Sequence, residues 1–136
     1  MYPEYLVAPM RQELTNAGFE DLRTPEEVDQ AIKSEGTVLV MVNSVCGCAA
    51  ANARPAARIS TQYQKHPDKF VTVFAGMEKD AVDRARQYML PYPPSSPAIA
   101  LFKDGKLVHF VERMNIEGHT AEQVADQLRQ AYDQHC

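Results

Sequence analysis

Residues 37–42, with the sequence TVLVMV, constrain the fold of this chain more than any other segment. The run is apolar and rich in β-branched residues without a polar alternation, which predicts a central strand that is covered on both faces. Residues 70–75, FVTVFA, predict a second buried strand. Because helical segments separate the two runs, we expect the strands to pair in parallel, with helices against both faces of their sheet.

The first helical segment lies at residues 3–17. It places Leu6, Met10 and Leu14 at spacings of four, which predicts an amphipathic helix with these side chains on its apolar face. Pro9 lies inside this segment and should kink or divide the helix, because proline lacks the N–H group that the helix needs there.

Four further segments carry helical signals. Thr24-Pro25-Glu26-Glu27 is a capping box with proline at the first helical position, so a helix should begin there and run to about residue 34. Residues 49–64 are rich in alanine, residues 80–89 carry apolar side chains on one face, and Thr120 can cap a last helix.

A β-hairpin is predicted near the C-terminus. Residues 98–102 and 107–111 are apolar and flank Asp104-Gly105, which is a strong hairpin signal. The order of elements is then α-α-β-α-β-α-β-β-α, in which the hairpin adds an antiparallel strand to parallel ones. The length suits a single α/β domain over residues 1–136, with residues 1–18 as a helical extension packed on it.

Composition excludes several classes of protein. The chain carries 18 acidic against 14 basic side chains, which argues against a nucleic-acid binder held by phosphate contacts. Its longest apolar run, residues 38–42, is far shorter than the ~20 residues that a membrane helix needs. The first residues lack the regions of a secretory signal, so we expect a cytoplasmic protein. Three cysteines, two of them close together, indicate catalytic, redox-sensing or metal-binding thiols.

Cys46 and Cys48 lie where the first buried strand ends and a helix begins. Reactive groups of open α/β sheets gather beyond the carboxyl ends of strands, and the start of a helix favours a thiolate. Since the thiolate is the attacking species, this position predicts Cys46 as a catalytic thiol with Cys48 as its partner. Gly47 has no Cβ, which allows the backbone dihedrals that the small disulfide ring of a Cys-x-Cys unit requires.

The residues alone leave other functions open. Two thiolates at this spacing also suit Cu(I) or Zn(II), with Cys136 or His135 as a further ligand, but no second Cys/His pair lies at standard zinc spacing. An adaptor without turnover, whose cysteines are incidental, is another alternative. Of these classes we expect a redox protein with no bound metal and no bound cofactor.

From about residue 24 to its C-terminus, the chain resembles the thioredoxin superfamily. A buried strand leads to cysteines at a helix start, Pro55 lies within that helix, and Ser96-Pro97 precedes the strand and turn AIALFKDGK. The resemblance implies a three-layer α/β/α fold with a central mixed sheet of about four strands and, here, an extra N-terminal helix. It also implies a cis peptide at Ser96-Pro97 beside Cys46, with the Ser96 backbone pairing with a disulfide-bearing substrate.

A closer similarity is to the bacilliredoxin family, whose signature is a Cys-Gly-Cys site in this fold. The segments NSVCGCAA, PSSP and IEGH carry the similarity, which covers nearly the whole chain. It implies a thiol–disulfide oxidoreductase in which Cys46 attacks mixed disulfides between proteins and the small thiol bacillithiol and takes up the bacillithiol. Cys48 or a second bacillithiol would then resolve this adduct.

The same similarity implies the co-substrate and the partners. Bacillithiol is the expected thiol co-substrate, bacillithiolated proteins or protein disulfides are the expected substrates, and a bacillithiol disulfide reductase system should complete the cycle. No membrane or nucleic-acid partner is expected. In a host without bacillithiol, the site predicts protein disulfide isomerase activity instead.

The chain departs from thioredoxin near the site. Val45 stands where thioredoxin has tryptophan, and the strand before the cysteines lacks the buried carboxylate that thioredoxin carries there. Glu35 is a candidate proton acceptor by proximity in sequence alone. Arg54 either attracts an anionic small thiol or lies on a solvated helix face. Asn43 and Ser44 either orient the thiolate or satisfy backbone groups of the turn.

Overall fold

A five-stranded mixed sheet forms the middle layer of the fold, in a computed structural model that describes all of residues 1–136. The strands are β1 (Glu20–Asp21), β2 (Thr37–Asn43), β3 (Lys69–Phe74), β4 (Ala98–Lys103) and β5 (Lys106–Val111). Their order across the sheet is β1-β3-β2-β4-β5, in which β1, β3 and β2 are parallel, β4 is antiparallel to β2, and β5 is antiparallel to β4. The two predicted buried strands are therefore parallel neighbours.

Six helices and one π-helical turn connect and cover the strands. The helices are α1 (Glu4–Thr15), α2 (Pro25–Ile32), α3 (Arg54–Ser60), α4 (Lys79–Tyr88), α5 (Arg113–Ile116) and α6 (Ala121–His135), and the π-helical turn Ala49–Ala53 leads directly into α3. The capping box predicted at Thr24 and the cap predicted at Thr120 are both present, each as a full capping box, and begin α2 and α6. No helix is both long and apolar enough to cross a membrane.

The central strand β2 is buried along its whole length and contributes to two hydrophobic cores. Leu39 and Met41 pack with apolar residues of α1, α3 and α6 on one face of the sheet. Val38, Val40 and Val42 pack with residues of α2 and α4 on the other face. These contacts confirm the predicted three-layer α/β/α class and the prediction that β2 is covered on both sides.

Two elements have no signal in the sequence. Strand β1 has only two residues, both acidic, and pairs with β3 opposite Val71 and Thr72. Helix α5 is a single turn of four residues. Neither element is long enough to show a hydrophobic period, so the sheet has one strand more than the predicted four.

The buried face of α1 differs from the predicted one. The helix continues through Pro9 without division and buries Val7 and Leu14, whereas Leu6 is 43% exposed and Met10 is half-buried. Only the last of the three predicted apolar positions is therefore fully in the core.

A buried arginine explains this difference. Arg11 of α1 is only 3% exposed. Its guanidinium donates to Glu4, Asp21 and Glu78 and lies 5.1 Å from the ring centre of Phe74. Because three carboxylates compensate its charge, the arginine occupies a place that an analysis of apolar periodicity assigns to a hydrophobic residue.

The hairpin β4–β5 turns at Asp104 and Gly105, as predicted. Both residues have positive φ, 51° and 82°, which is the geometry of a two-residue turn whose twist matches the flanking strands. The register pairs Lys103 with Lys106 and Ile99 with Val111. The chain that follows β5 therefore lies beside the chain that precedes β4.

Candidate active site

The chain leaves the sheet at Asn43, the last residue of β2, and reaches Cys46 three residues later. The π-helical turn begins at Ala49. Cys46 and Cys48 thus lie between the carboxyl end of the central strand and the start of a helix, where the sequence predicted them. Both cysteines are free and partly exposed.

A buried polar bracket, made of Asn43, Ser44 and Arg54, holds the turn before Cys46. Asn43 Oδ1 accepts from the N–H of Ser44 at 2.9 Å and from Arg54 Nη1 at 3.0 Å. Arg54 Nη1 also donates to the carbonyl of Ser44 at 2.8 Å, and Ser44 Oγ accepts from the N–H of Cys46 at 3.2 Å. Of the two roles predicted for Asn43 and Ser44, these contacts fit the satisfaction of backbone groups, which positions Cys46.

Arg54 occupies neither of its two predicted environments. Its side chain is 2% exposed, and its Nε lies 3.1 Å from a carboxylate oxygen of Glu13 in α1, an ion pair without an aligned hydrogen bond. It can therefore neither attract a small thiol from solvent nor belong to a solvated helix face. Instead it joins α3, α1 and the end of β2 beneath the cysteines.

The two thiols differ in acidity. Their Sγ atoms are 2.7 Å apart. A hydrogen bond from Cys48 lowers the pKa of the Cys46 thiol, and the backbone N–H groups of Cys48 and Ala49 and the positive charge of Arg113 act in the same direction. Burial raises the pKa of the Cys48 thiol, and its hydrogen bond to Cys46 adds to this effect. Cys46 is therefore the more acidic thiol of the pair, and a thiol with a lowered pKa is the better candidate for the attacking species.

Arg113 and Glu117 complete the charge around the thiols, and neither was predicted. Arg113 Nη2 donates to Glu117 at 2.9 Å, and its Nη1 lies 3.4 Å from the carbonyl of Ser96. A carboxylate oxygen of Glu117 lies within 4.8 Å of both sulfurs. The sequence did contain a signal for Arg113. This residue follows β5, and the register of the predicted hairpin places the chain after β5 beside the residues before β4.

An open cavity of about 270 Å³ lies over Cys46, with Ser96 and Arg113 in its lining. The peptide between Ser96 and Pro97 is cis, as the resemblance implied, and Pro97 is buried. Tyr2 also lines the cavity and covers Gly76, where a Cβ would lie only 2.8 Å from a carbon of the tyrosine ring. The structure thus brings Cys46 and Ser96 to one opening.

Two residues considered in the sequence lie at the opposite end of the sheet. Glu35 precedes β2, is exposed, and cannot exchange a proton with thiols that follow β2. Cys136 lies near Thr37, the first residue of β2. The length of β2 separates both from Cys46 by about 20 Å. Within one molecule, Cys136 therefore cannot resolve an adduct on Cys46.

The ligands of the alternative metal site are likewise separated. Glu117 is the nearest further side chain that could bind a metal together with Cys46 and Cys48. Cys136 and its neighbour His135 lie at the opposite end of the sheet. Glu117 is hydrogen-bonded to Arg113, whose positive charge beside the sulfurs opposes the binding of a cation.

Gly47 has neither a positive φ nor an atom within 4 Å of its missing Cβ. With both cysteines free, the backbone at this position therefore does not require glycine. The demand that a disulfide ring would make on Gly47 stays a prediction.

Alkylation against pH tests the asymmetry of the thiols. On a Cys136→Ser background, we expect iodoacetamide to modify Cys46 at lower pH than Cys48, as followed by peptide mass spectrometry. Cys48→Ala removes the donor and should move the Cys46 profile to higher pH, whereas Cys48→Ser keeps a donor and should move it less. An unchanged profile in Cys48→Ala contradicts the assignment of the donor.

The polar bracket predicts that loss of Arg54 destabilises the fold more than loss of Arg58, which lies one helical turn further on. Arg54→Met leaves buried acceptors without a donor and should lower the free energy of unfolding by about 2–4 kcal/mol. Arg58 pairs with the same Glu13 but its side chain is 47% exposed, so Arg58→Met should cost about 1 kcal/mol or less. Urea unfolding measures both, and equal losses contradict the role of Arg54.

Known proteins resemble the chain over its whole length. The disulphide isomerase family matches residues 2–136. A bacilliredoxin of Cytophaga hutchinsonii is 59% identical over 134 residues, which are 98% of this chain and 99% of the relative. A bacilliredoxin of Halalkalibacterium halodurans is 56% identical over 136 residues, 99% of this chain and 94% of the relative.

Solved structures share the fold at lower identity. A protein described as an oxidoreductase with a thioredoxin fold has a TM-score of 0.66 at 18% identity and covers 82% of this chain and 94% of its own. Thioredoxin from Trypanosoma brucei brucei has a TM-score of 0.61 at 19% identity, over 85% of this chain and 88% of its own. With this fold and with relatives that match it from end to end, the chain belongs to the bacilliredoxin family of redox enzymes.

Proposed function

We propose that this chain reduces mixed disulfides between proteins and bacillithiol, with Cys46 as the attacking thiol. The observation that carries the proposal is the asymmetric thiol pair, in which Cys48 donates to Cys46 and lowers its pKa. A thiol that is ionised at lower pH than its neighbour can attack a disulfide while the neighbour remains protonated. Membership of the bacilliredoxin family supports bacillithiol as the small thiol.

The first step transfers bacillithiol to the enzyme. The Cys46 thiolate attacks the bacillithiol sulfur of the mixed disulfide, a bond forms between Cys46 Sγ and that sulfur, and the old disulfide bond breaks. The target protein leaves as a thiolate and takes a proton from solvent. The position of Ser96 supports this step, because Ser96 lines the same cavity as Cys46 and its backbone can align that of the substrate.

The second step resolves the adduct by one of two routes. Cys48, once deprotonated, attacks Cys46 Sγ, forms the Cys46–Cys48 disulfide and releases bacillithiol as a thiolate. Alternatively, a second bacillithiol attacks the bound bacillithiol sulfur, which yields bacillithiol disulfide and restores the Cys46 thiolate. Burial raises the pKa of Cys48, which slows the first route at neutral pH and favours the second when bacillithiol is abundant.

Disulfide isomerisation is the second candidate function, and the family description supports it. The same Cys46 thiolate would attack a protein disulfide, and a thiol of that protein would displace Cys46 after rearrangement. Since no net electrons pass to the substrate, this reaction requires Cys46 but not Cys48.

Mass spectrometry of the reduced chain after mixing with a bacillithiolated test protein tests the proposal. We expect the test protein to lose bacillithiol, Cys48→Ala to retain one bacillithiol on Cys46, and Cys46→Ala to be inert. Cys136→Ala is the matched control and should behave as the unaltered chain, because Cys136 lies at the other end of the sheet.

Other outcomes identify the alternatives. Rearrangement of a scrambled disulfide protein by Cys48→Ala, without release of bacillithiol from the test protein, supports the isomerase instead. Metal that copurifies with Cys46 and Cys48 and blocks their alkylation contradicts a redox role and supports a metal-binding module.

A further inference from the structure

A second cavity lies next to that of Cys46. It has a volume of about 430 Å³, and Ala75, Gly76, Lys79, Val82, Asp83 and Arg86 contribute to its lining. The loop after β3 supplies the first two of these residues, and α4 supplies the others. Because parallel strands end at the same edge of a sheet, this cavity opens on the same edge as the cysteines.

Arg86 differs from every other arginine in the chain. The seven others each form an ion pair with at least one carboxylate, whereas no carboxylate lies within 4 Å of Arg86. Its one side-chain hydrogen bond runs from Nη1 to the carbonyl of Ser95, at 2.9 Å. Arg86 is half-buried, and this burial lowers its pKa. A half-buried guanidinium with unused donors in a cavity favours an anionic ligand.

Asp83, the acidic residue of the same cavity, is not the anion that binds Arg86. Asp83 is hydrogen-bonded to Lys79 Nζ at 2.6 Å, on the exposed side of α4. Asp83 acts on the charge of Arg86 only from beyond ion-pair distance, so the guanidinium has no carboxylate bound to it.

The two cavities meet at the backbone of Ala75 and Gly76, which line both. Arg86 binds Ser95, and the next residue, Ser96, lines the cavity of Cys46. The guanidinium and the attacking thiol thus lie on either side of a short segment. An extended ligand of tripeptide size spans about 10 Å, and a ligand that occupies both adjoining cavities would contact both groups.

We propose that Arg86 binds a carboxylate of the small-thiol half of the mixed disulfide, while the sulfur of that half lies at Cys46. The inference rests on the proposed function and names its specificity site: an anionic small thiol whose carboxylate lies several bonds from the sulfur. Arg113 lines the opening beside the sulfurs, and its positive charge supports the same preference for an anion.

Paired substrates separate this role from a merely structural one. A test protein with a single exposed cysteine is prepared as a mixed disulfide with glutathione, which has two carboxylates, and with glutathione diethyl ester, which has none. Rates of small-thiol release by the full-length reduced chain are measured for both. We expect Arg86→Gln to slow release of glutathione about tenfold and to leave release of the ester nearly unchanged, because only the acid loses a charged hydrogen bond.

Two variants serve as controls. Arg86→Lys keeps the charge and should restore part of the preference for the acid. Arg84→Gln removes the same charge from the same helix, but Arg84 pairs with Asp29 away from the cavity, so it should leave both rates unchanged. Alkylation of Cys46 by neutral iodoacetamide verifies that each variant retains its reactive thiol.

The outcomes distinguish this inference from the proposed function. If Arg86→Gln slows both substrates equally, Arg86 only holds Ser95, and the carboxylate site is wrong although the chain remains a reductase. Equal rates of the unaltered chain on acid and ester overturn the site as well. If the unaltered chain releases neither glutathione nor bacillithiol, the proposed function fails and this inference fails with it.

Discussion

Burial of β2 on both faces is the constraint on which the rest of the structure depends. Alternate side chains of this strand enter two separate cores, so helices must cover both sides of the sheet, and every side chain from Val38 to Val42 is apolar. At that end Asn43 is still 99% buried and needs partners, which Arg54 and the backbone of Ser44 provide. The turn that carries Cys46 is thus held by the need to satisfy a buried polar group.

Signals between residues close in sequence predicted most of the fold. The buried runs, the two capping boxes and the Asp104-Gly105 turn each specify local structure through neighbouring residues, and all are present. The buried arginines could not be predicted in this way. Arg11 and Arg54 are compensated by carboxylates on other elements, among them Glu78 and Glu13, which periodicity along one helix does not reveal.

The candidate site was predicted in part for the same reason. Cys46 and Cys48 follow a recognisable strand end, and the cis peptide at Pro97 was implied by a motif. The position of Arg113 could have been predicted, since a two-residue hairpin carries the chain after β5 back to the residues before β4. The role of Arg86 could not be predicted from the sequence. It depends on the absence of an ion pair, which is visible only when the positions of all carboxylates are known.

The π-helical turn between the thiols and Arg54 has a consequence for insertions and deletions. Its hydrogen bond from the N–H of Arg54 to the carbonyl of Ala49 spans five residues, so the turn holds one residue more than an α-helical turn. Loss of a single alanine here would restore the ordinary phase of the helix and rotate either the cysteines or the guanidinium out of place. The number of residues between Cys48 and Arg54 therefore affects the geometry of the site more than the identity of the alanines does. Replacement of an alanine by another small residue should be tolerated far better than an insertion or a deletion.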